Sequence, residues 1–154
     1  LGLQEVPTGI PDGPTTYDQL RSIPSGQIHY TETAVKMTTP NTYSFLVNVD
    51  LGARTWGGGG SFSSVSGNYS GSTPITSTTS FASDSGNVNF VLPGSAFGTG
   101  ACSMVCTTSL SVRPQNAGGV IGANAQHSMR VLDFGGALVD QGSGVAPRQQ
   151  GFVP

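Results

Sequence analysis

The sequence predicts an antiparallel all-β domain, either an eight-stranded up-and-down barrel or a β-sandwich. Between Gln27 and Arg148, stretches of alternating apolar and polar residues are separated by clusters of Gly, Ser, Asn and Pro. This pattern is typical of strands with one buried face. No helical periodicity interrupts it, which excludes parallel βαβ units. An even number of hairpins can close the first strand on the last and remove both edges, so we favour the barrel.

The chain divides into an arm (residues 1–26), a β-barrel domain (27–148) and a tail (149–154). The arm contains four prolines and no regular periodicity, so we interpret it as an extended linker or a strap on the barrel. Tyr17–Arg21 could form one helical turn. Apolar residues among the prolines predict that the arm lies against the barrel exterior or against a neighbouring subunit.

Eight segments carry the strand pattern. They are Gln27–Met37, Tyr43–Leu51, Arg54–Phe62, Pro74–Phe81, Asn87–Leu92, Thr108–Val112, Gly119–Ser128 and Ala137–Val145. The second is the clearest, because every other residue from Tyr43 is apolar and only Leu46 is out of phase. We predict that one core contains Phe45, Val47, Phe90 and Leu110.

Four consecutive glycines, Gly57–Gly60, lie inside the third strand pattern. Glycines within a strand usually mark a bend, a bulge or a close approach of another segment. A phosphate-binding loop would need a helix after it, and Ser63–Gly67 is not a helical sequence. The glycines therefore predict a structural feature of the strand.

Cys102 and Cys106 lie in one short segment between two strand patterns. This separation can bring two Cβ atoms close enough for a disulfide, which would imply an oxidising compartment. The alternative is two free thiols at a strand end. The spacing excludes a redox CxxC motif, and two cysteines without suitably placed histidines make a poor zinc site.

Charged residues make up only 9% of the chain, and the net charge is −2 with a single lysine. Nucleic-acid binders and anionic-membrane binders carry basic stripes or clusters, which are missing here, so we expect neither partner. No apolar run approaches the roughly 20 residues of a transmembrane helix. The abundance of Gly, Ser, Thr and Asn resembles secreted and surface proteins, and we expect an extracellular or cell-surface location.

The two histidines, His29 and His127, are interpreted as polar strand residues, because no nucleophile elbow or metal-ligand spacing accompanies them. We therefore predict no catalytic, cofactor or metal site. Glu32 shares the apolar phase of the first strand. It and Lys36 either line a polar interior, as a ligand site could, or reach solvent because the strand bulges near Thr33.

Trp56 and Tyr69 are candidate contact residues for a partner, since exposed aromatic side chains often bind sugars or proteins. The alternative for Trp56 is a core position, which is common for a lone tryptophan in a small β domain. Asn68–Ser70 matches an N-glycosylation acceptor, which matters only in a eukaryotic or virally exported chain.

Asn116–Ala123, which follows a strand and precedes Gln126–His127, resembles the penultimate hairpin of the transferrin-binding-protein-like barrels. Similar barrels follow FecR-type domains in proteobacterial surface proteins. Tyr43–Phe62 resembles their early hairpin, and the resemblance covers about residues 27–148. It implies a barrel, export and a surface setting. It does not imply transferrin binding, because the long loops and handle domains of those receptors are missing.

These observations predict a non-enzymatic surface β-barrel module that binds a partner or builds a surface assembly. The alternative is a structural subunit of a fibre, capsid or pilus-like polymer, in which the arm and tail would pack on a neighbouring copy. The expected partners are accordingly another protein or identical subunits.

Overall fold

The computed structural model describes residues 9–64, 69–73, 79–80, 86–98 and 105–150, and within them the predicted antiparallel all-β fold is confirmed. One sheet has the hydrogen-bonded order β10-β9-β8-β7-β5-β4-β3-β2-β11, in which β1 also pairs with β8 and β6 with β4. All of these pairs are antiparallel. The main strands follow one another as a meander, as the sequence predicts.

The described part contains eleven strands and one short helix. The strands are β1 (Gly13–Pro14), β2 (Gln27–Lys36), β3 (Asn41–Asp50), β4 (Thr55–Ser64), β5 (Tyr69–Thr73), β6 (Thr79–Ser80), β7 (Phe90–Gly98), β8 (Cys106–Ala117), β9 (Val120–Leu132), β10 (Leu138–Pro147) and β11 (Gln149–Gln150), and the helix is α1 (Tyr17–Arg21).

The alternating residues form a core on the inner face of the sheet. Phe45, Val47, Phe90 and Leu110 are all buried in it, so that prediction is confirmed, and the out-of-phase Leu46 is 41% exposed. Because successive side chains in a strand point to opposite faces, one register decides the burial of the whole strand.

The strands around the middle of the chain differ from the prediction. The predicted strand Pro74–Phe81 falls mostly outside the described residues, and only its Thr79–Ser80 portion is seen, as β6. β5 at Tyr69–Thr73 occupies a Gly/Ser-rich segment that has no apolar alternation, which is why the sequence pattern does not reveal it. β7 extends to Gly98, beyond the predicted end at Leu92.

Gly57–Gly60 lie within β4, which pairs with β3 along its whole length. A Cβ on Gly58 would lie 2.3 Å from the carbonyl oxygen of Leu46, far inside van der Waals contact. The close approach expected of these glycines is therefore present between β4 and β3.

The two ends of the sheet meet where β2 lies beside β10, a junction that we call the seam. In the described residues an isolated bridge joins Met37 to Gly142, and the Thr38 amide donates to the Gln141 carbonyl at 2.8 Å. At the other end of β2, β11 pairs with His29 and Ile28. The seam is thus bridged near both ends of β2, but the continuous ladder of a closed barrel is not present between β2 and β10 in the described residues.

The described part of the arm, residues 9–26, packs on the chain's own sheet. Tyr17, Leu20 and Ile23 are buried in the core. Thr16 caps α1 with a capping box, in which its hydroxyl accepts from the Gln19 amide and the Gln19 side chain accepts from the Thr16 amide. The predicted helical turn at Tyr17–Arg21 is confirmed.

A buried polar network fastens this segment to the β8–β9 hairpin. Thr15 Oγ1 donates to Asn116 Oδ1 at 2.6 Å, and Asn116 Nδ2 donates to Gln19 Oε1 at 2.8 Å. The Gly122 amide also donates to Asn116 Oδ1, at 3.0 Å. Because Thr15 and Asn116 are buried, these bonds satisfy polar atoms that would otherwise be costly to remove from water.

Candidate functional site

Trp56 lies in the core and not on the surface. Its side chain is 9% exposed and its ring centroid lies 4.8 Å from that of Phe90. The partner-contact interpretation of Trp56 is therefore corrected to a core role, which follows from its inward position in β4 opposite the buried Val49. Tyr69 is the first residue of β5, and its side chain lies outside the described residues.

Of the two cysteines, Cys102 lies outside the described residues. Cys106 is the first residue of β8, where it is buried and paired with Ala96 of β7. The disulfide between Cys102 and Cys106 stays a prediction.

The two histidines occupy opposite faces of the sheet. His29 points outward, and its Nε2 lies 2.9 Å from Oε1 of Gln149, which links β2 to β11. His127 points inward from β9 and is 2% exposed. His127 is therefore a core residue, and its surroundings form the main polar cluster that the described structure buries.

His127 reaches across the seam to β3. Its Nδ1 lies 2.7 Å from the hydroxyl oxygen of Tyr43, and its ring packs against Phe45 with centroids 4.8 Å apart. The strand order places β10 and β2 between β9 and β3. The Tyr43–His127 bond therefore connects two strands that have the seam between them.

Two glycines of β10 leave the space that this contact requires. A Cβ on Gly144 would lie 2.8 Å from Cε1 of His127, and a Cβ on Gly142 would lie 3.0 Å from Cε1 of Tyr43. A larger residue at Gly144 would collide with the His127 ring, and a larger residue at Gly142 would collide with the Tyr43 ring. β10 thus contributes only backbone at this point, where β9 contributes the imidazole and β3 the phenol.

A second buried phenol crosses the seam nearer the arm. The hydroxyl of Tyr30 in β2 donates to the carbonyl of Gly122 in β9 at 2.7 Å. Gly122 has a φ of +62°, and a Cβ there would lie 2.5 Å from the Tyr30 hydroxyl. Both tyrosines are held protonated, because burial raises the pKa of Tyr30 and of Tyr43.

Glu32 is the charged neighbour of this cluster. Its Oε1 lies 3.9 Å from Nε2 of His127, and its side chain is 34% exposed. Burial lowers the pKa of His127, and the nearby Glu32 carboxylate partly opposes this effect. The predicted bulge is present between Glu32 and Val35, with Ala34 at a φ of 55°, and it turns Lys36 to the outside while Glu32 stays beside the interior.

The cluster is a sealed structural element. Nε2 of His127 is buried without a hydrogen-bond partner, while Tyr43 and His127 are only 1% and 2% exposed. A general base must come within hydrogen-bond reach of its substrate, which this burial prevents. The arrangement therefore offers no open position for a reacting molecule.

Asp140 forms a second buried polar group, at the seam beside the β2–β3 turn. Its Oδ1 accepts from the Thr39 amide at 3.1 Å, and its Oδ2 accepts from Thr39 Oγ1 and Asn41 Nδ2, both at 2.6 Å. Hydrogen bonds to an ionised carboxylate are among the stronger ones in proteins. Asp140 therefore holds the turn of β2 and β3 against β10.

On the outer face of the seam lies a groove of about 520 Å³, which we call the seam groove. It crosses β9, β10 and the end of β2. Its lining residues are Lys36, Thr38, Ser128, Met129, Arg130, Gln141, Gly142 and Ser143. Met129 is fully buried beneath it, so the side chains that reach the open surface are charged or polar.

Five lining side chains keep their hydrogen-bonding capacity unused. In the described part of the chain no ion pair or hydrogen bond engages the side chains of Lys36, Ser128, Arg130, Gln141 or Ser143. In contrast, Arg21 pairs with Asp18, and Arg148 donates to the Ile121 carbonyl. Two cations and three neutral polar groups are thus available to a ligand in one groove.

The chain matches no protein-family model, no curated protein and no solved structure. No helix in the described residues has the length and apolar character needed to cross a membrane. The same residues contain no cluster of three or more His, Cys, Asp or Glu that could hold a metal ion.

The sequence alone predicts neither the buried His127 cluster nor the seam groove, although it does indicate the direction of His127. His127 shares the phase of Ala125, Met129 and Val131, so its inward direction follows from alternation. Its contact with Tyr43, 84 residues away, depends on the order of the strands. The groove is missed because its cations, Lys36 and Arg130, come from distant strands and resemble ordinary surface residues in sequence.

Proposed function

We propose that this chain is a non-enzymatic binding module that works in an extracellular or cell-surface setting. The observation that carries the proposal is the seam groove, where side chains with unused hydrogen-bonding capacity face one concave surface. Ligand sites are usually concave and place a few polar groups so that they converge. The stable sheet beneath would supply the frame on which these groups are held.

The non-enzymatic part of the proposal rests on the burial of the reactive groups. Tyr43 and His127 make up the described cluster closest to an acid–base pair, and both are closed off from solvent. The groove itself offers Ser128 and Ser143, but neither has a histidine within hydrogen-bond distance to activate it. These surfaces therefore favour ligand binding over catalysis.

The proposed setting rests on composition and on resemblance. The chain has few charges and abundant small polar residues, and it contains a cysteine pair suited to an oxidising compartment. The segments Asn116–Ala123 and Tyr43–Phe62 resemble transferrin-binding-protein-like and FecR-associated surface barrels. The β8–β9 hairpin and the β3–β4 hairpin lie at these two positions.

The packing of the arm favours this module over the fibre, capsid or pilus-like subunit. In the assembly hypothesis the arm supplies contacts to a neighbouring copy. Residues 9–26 instead bury Tyr17, Leu20 and Ile23 against their own sheet. These apolar side chains are therefore not available for contacts with a neighbouring copy.

The proposal is tested by binding the labelled domain to a panel of immobilised neutral glycans, acidic glycans and peptides. We expect binding that Ser143→Trp abolishes by filling the groove, while Val91→Trp on the outer face of β7 leaves it unchanged. Both positions are exposed, so folding should survive in each variant, which circular dichroism would check. If no panel member binds in a manner sensitive to Ser143→Trp, the groove is not a binding site and the proposal fails.

A further inference from the structure

We infer that the seam groove binds an acidic saccharide, whose carboxylate or sulfate group lies between Lys36 and Arg130. This inference rests on the proposed function and names its ligand class. The charges, the uncharged lining and the floor of the groove each support it.

The two cations lie on strands at opposite sides of the groove. Arg130 of β9 is paired with Gln141 of β10, and β2 lies on the other side of β10 at the bridge between Met37 and Gly142. Adjacent strands are roughly 4.8 Å apart, so the backbones that carry Lys36 and Arg130 are about 10 Å apart across the groove. An anionic group between them could contact both side chains.

The two side chains would recognise an anion in different ways. The guanidinium of Arg130 presents a planar fork that suits the two oxygens of a carboxylate or sulfate, whereas the ammonium of Lys36 acts as a compact point charge. Neither cation is neutralised by an acid in the described residues, since the ion pairs there join other residues. An anionic ligand would therefore not have to displace an internal partner.

The uncharged lining favours a ligand rich in hydroxyl groups. Ser128, Ser143 and Gln141 offer two hydroxyls and one amide, which can both donate and accept hydrogen bonds. The lining offers no exposed apolar side chain, because Met129 is buried. A volume of about 520 Å³ is within the range of small-ligand sites.

The floor of the groove disfavours an acidic peptide. Extended peptides commonly bind by adding a strand to a free sheet edge, with pockets for apolar side chains. Here the Thr38 amide already donates to the Gln141 carbonyl, and the Thr38 hydroxyl donates to the same oxygen at 2.9 Å. The backbone groups at this end of the seam are thus engaged, and recognition has to use side chains.

The test measures binding of the full chain to dextran sulfate and to polygalacturonate, with neutral dextran and poly-L-glutamate as comparisons. We expect at least one acidic polysaccharide to bind about tenfold more tightly than either comparison, a difference that a few exposed charge contacts can supply. A preference between the two polysaccharides would show whether the recognised anion is a sulfate or a carboxylate.

The decisive variant is Lys36→Gln/Arg130→Gln, and its matched control is Arg54→Gln/Arg113→Gln. Both remove two cations from the chain, but only the first pair lines the groove. We expect the first to lose about tenfold in affinity and the second to change by less than about threefold. Thermal melts of both variants would show that each remains folded.

Four outcomes would overturn the inference. If neither acidic polysaccharide binds, or if both double variants lose affinity equally, the groove does not recognise an acidic saccharide. Equal binding of poly-L-glutamate would make the ligand an acidic peptide or a general polyanion. If a neutral ligand instead binds in a manner abolished by Ser143→Trp, the saccharide inference fails while the binding module stands.

Discussion

The hydroxyl oxygen of Tyr43 lies 2.7 Å from Nδ1 of His127, and this buried bond joins β3 to β9 across the seam. The two strands at the seam share an isolated bridge in place of a ladder. Inner side chains therefore carry part of the cohesion that backbone hydrogen bonds supply elsewhere in the sheet. The same contact explains why β10 carries Gly142 and Gly144 beneath the two rings.

Removing either member of this pair should destabilise the domain. Tyr43→Phe leaves Nδ1 of His127 buried without a partner, and His127→Leu does the same to the Tyr43 hydroxyl. Each should cost about 1–3 kcal/mol in the free energy of unfolding, measured with urea. The double variant should cost less than the sum, because it leaves neither polar group behind. Strictly additive effects would show that the two side chains do not act as a unit.

The stability of the domain should depend on pH through His127. Burial lowers the pKa of His127 below its usual 6.5. The unfolded chain then binds more protons than the folded chain in the window below 6.5, so stability is fully present above this pH and declines as the pH falls through it. Urea midpoints measured from about pH 8 to about pH 5 should show the decline.

The matched control for this prediction is His127→Leu, which should flatten the part of the profile that lies just below pH 6.5. The outward-facing, half-buried His29 serves as the second control. His29→Leu should keep the decline. An unchanged profile in His127→Leu would assign the pH dependence to other groups.

Gly144 should tolerate no side chain while His127 is present. A Cβ there would lie 2.8 Å from Cε1 of a ring that Tyr43 holds in place, so Gly144→Ala should cost about 1–3 kcal/mol. Adding His127→Ala should recover part of the loss in thermal melts, since the colliding ring is gone. Gly135→Ala in the exposed turn, where the nearest atom would lie at 3.5 Å, is the control. Without any recovery in the double variant, the collision with His127 would not be the cause.

Local alternation in the sequence predicts most of the architecture. The inner face of β3 and the exposed Leu46 follow from a period of two residues, and the meander order follows from the short connections between successive strands. A bulge near Thr33 is one of the two alternatives that the sequence leaves open for this strand, and the structure has a bulge between Glu32 and Val35. These features depend on neighbours in the chain, which a single sequence displays.

Contacts between residues that are far apart in the chain cannot be predicted from local alternation. Asp140 accepts from Thr39 about a hundred residues away, and the Tyr43–His127 bond has a comparable separation. Which residues meet at the seam depends on how all the intervening strands add to the sheet. Alternation indicates that His127 points inward, but only the three-dimensional pairing shows which residue it contacts.

The predicted disulfide can be tested by counting thiols. Protein isolated without reductant and then unfolded should show no titratable thiol if Cys102 and Cys106 are joined, and two after reduction. Closing so small a ring should stabilise the domain by only about 2 kcal/mol or less, because a short loop loses little entropy. Cys106→Ser should leave one thiol and a slightly lower melting temperature. Two thiols in the unreduced protein would refute the bridge.

The arm should behave as part of its own domain. Leu20 is fully buried beside the sheet, so Leu20→Ala should cost about 2–5 kcal/mol in unfolding free energy. Leu46→Ala removes the same atoms from the outer face and should cost less than about 1 kcal/mol. Equal costs would mean that Leu20 does not contribute to the core.

Deleting residues 1–24 separates an internal strap from an exchanged arm. Because Tyr17, Leu20 and Ile23 pack on the same chain, the deletion should lower the melting temperature while the particle size measured by light scattering stays the same. If the truncated chain is too unstable to study, Leu20→Ala supports the same comparison of melting temperature with size. A change that appears mainly as smaller particles, with the melting temperature preserved, would instead show that the arm is exchanged between subunits and would restore the assembly hypothesis.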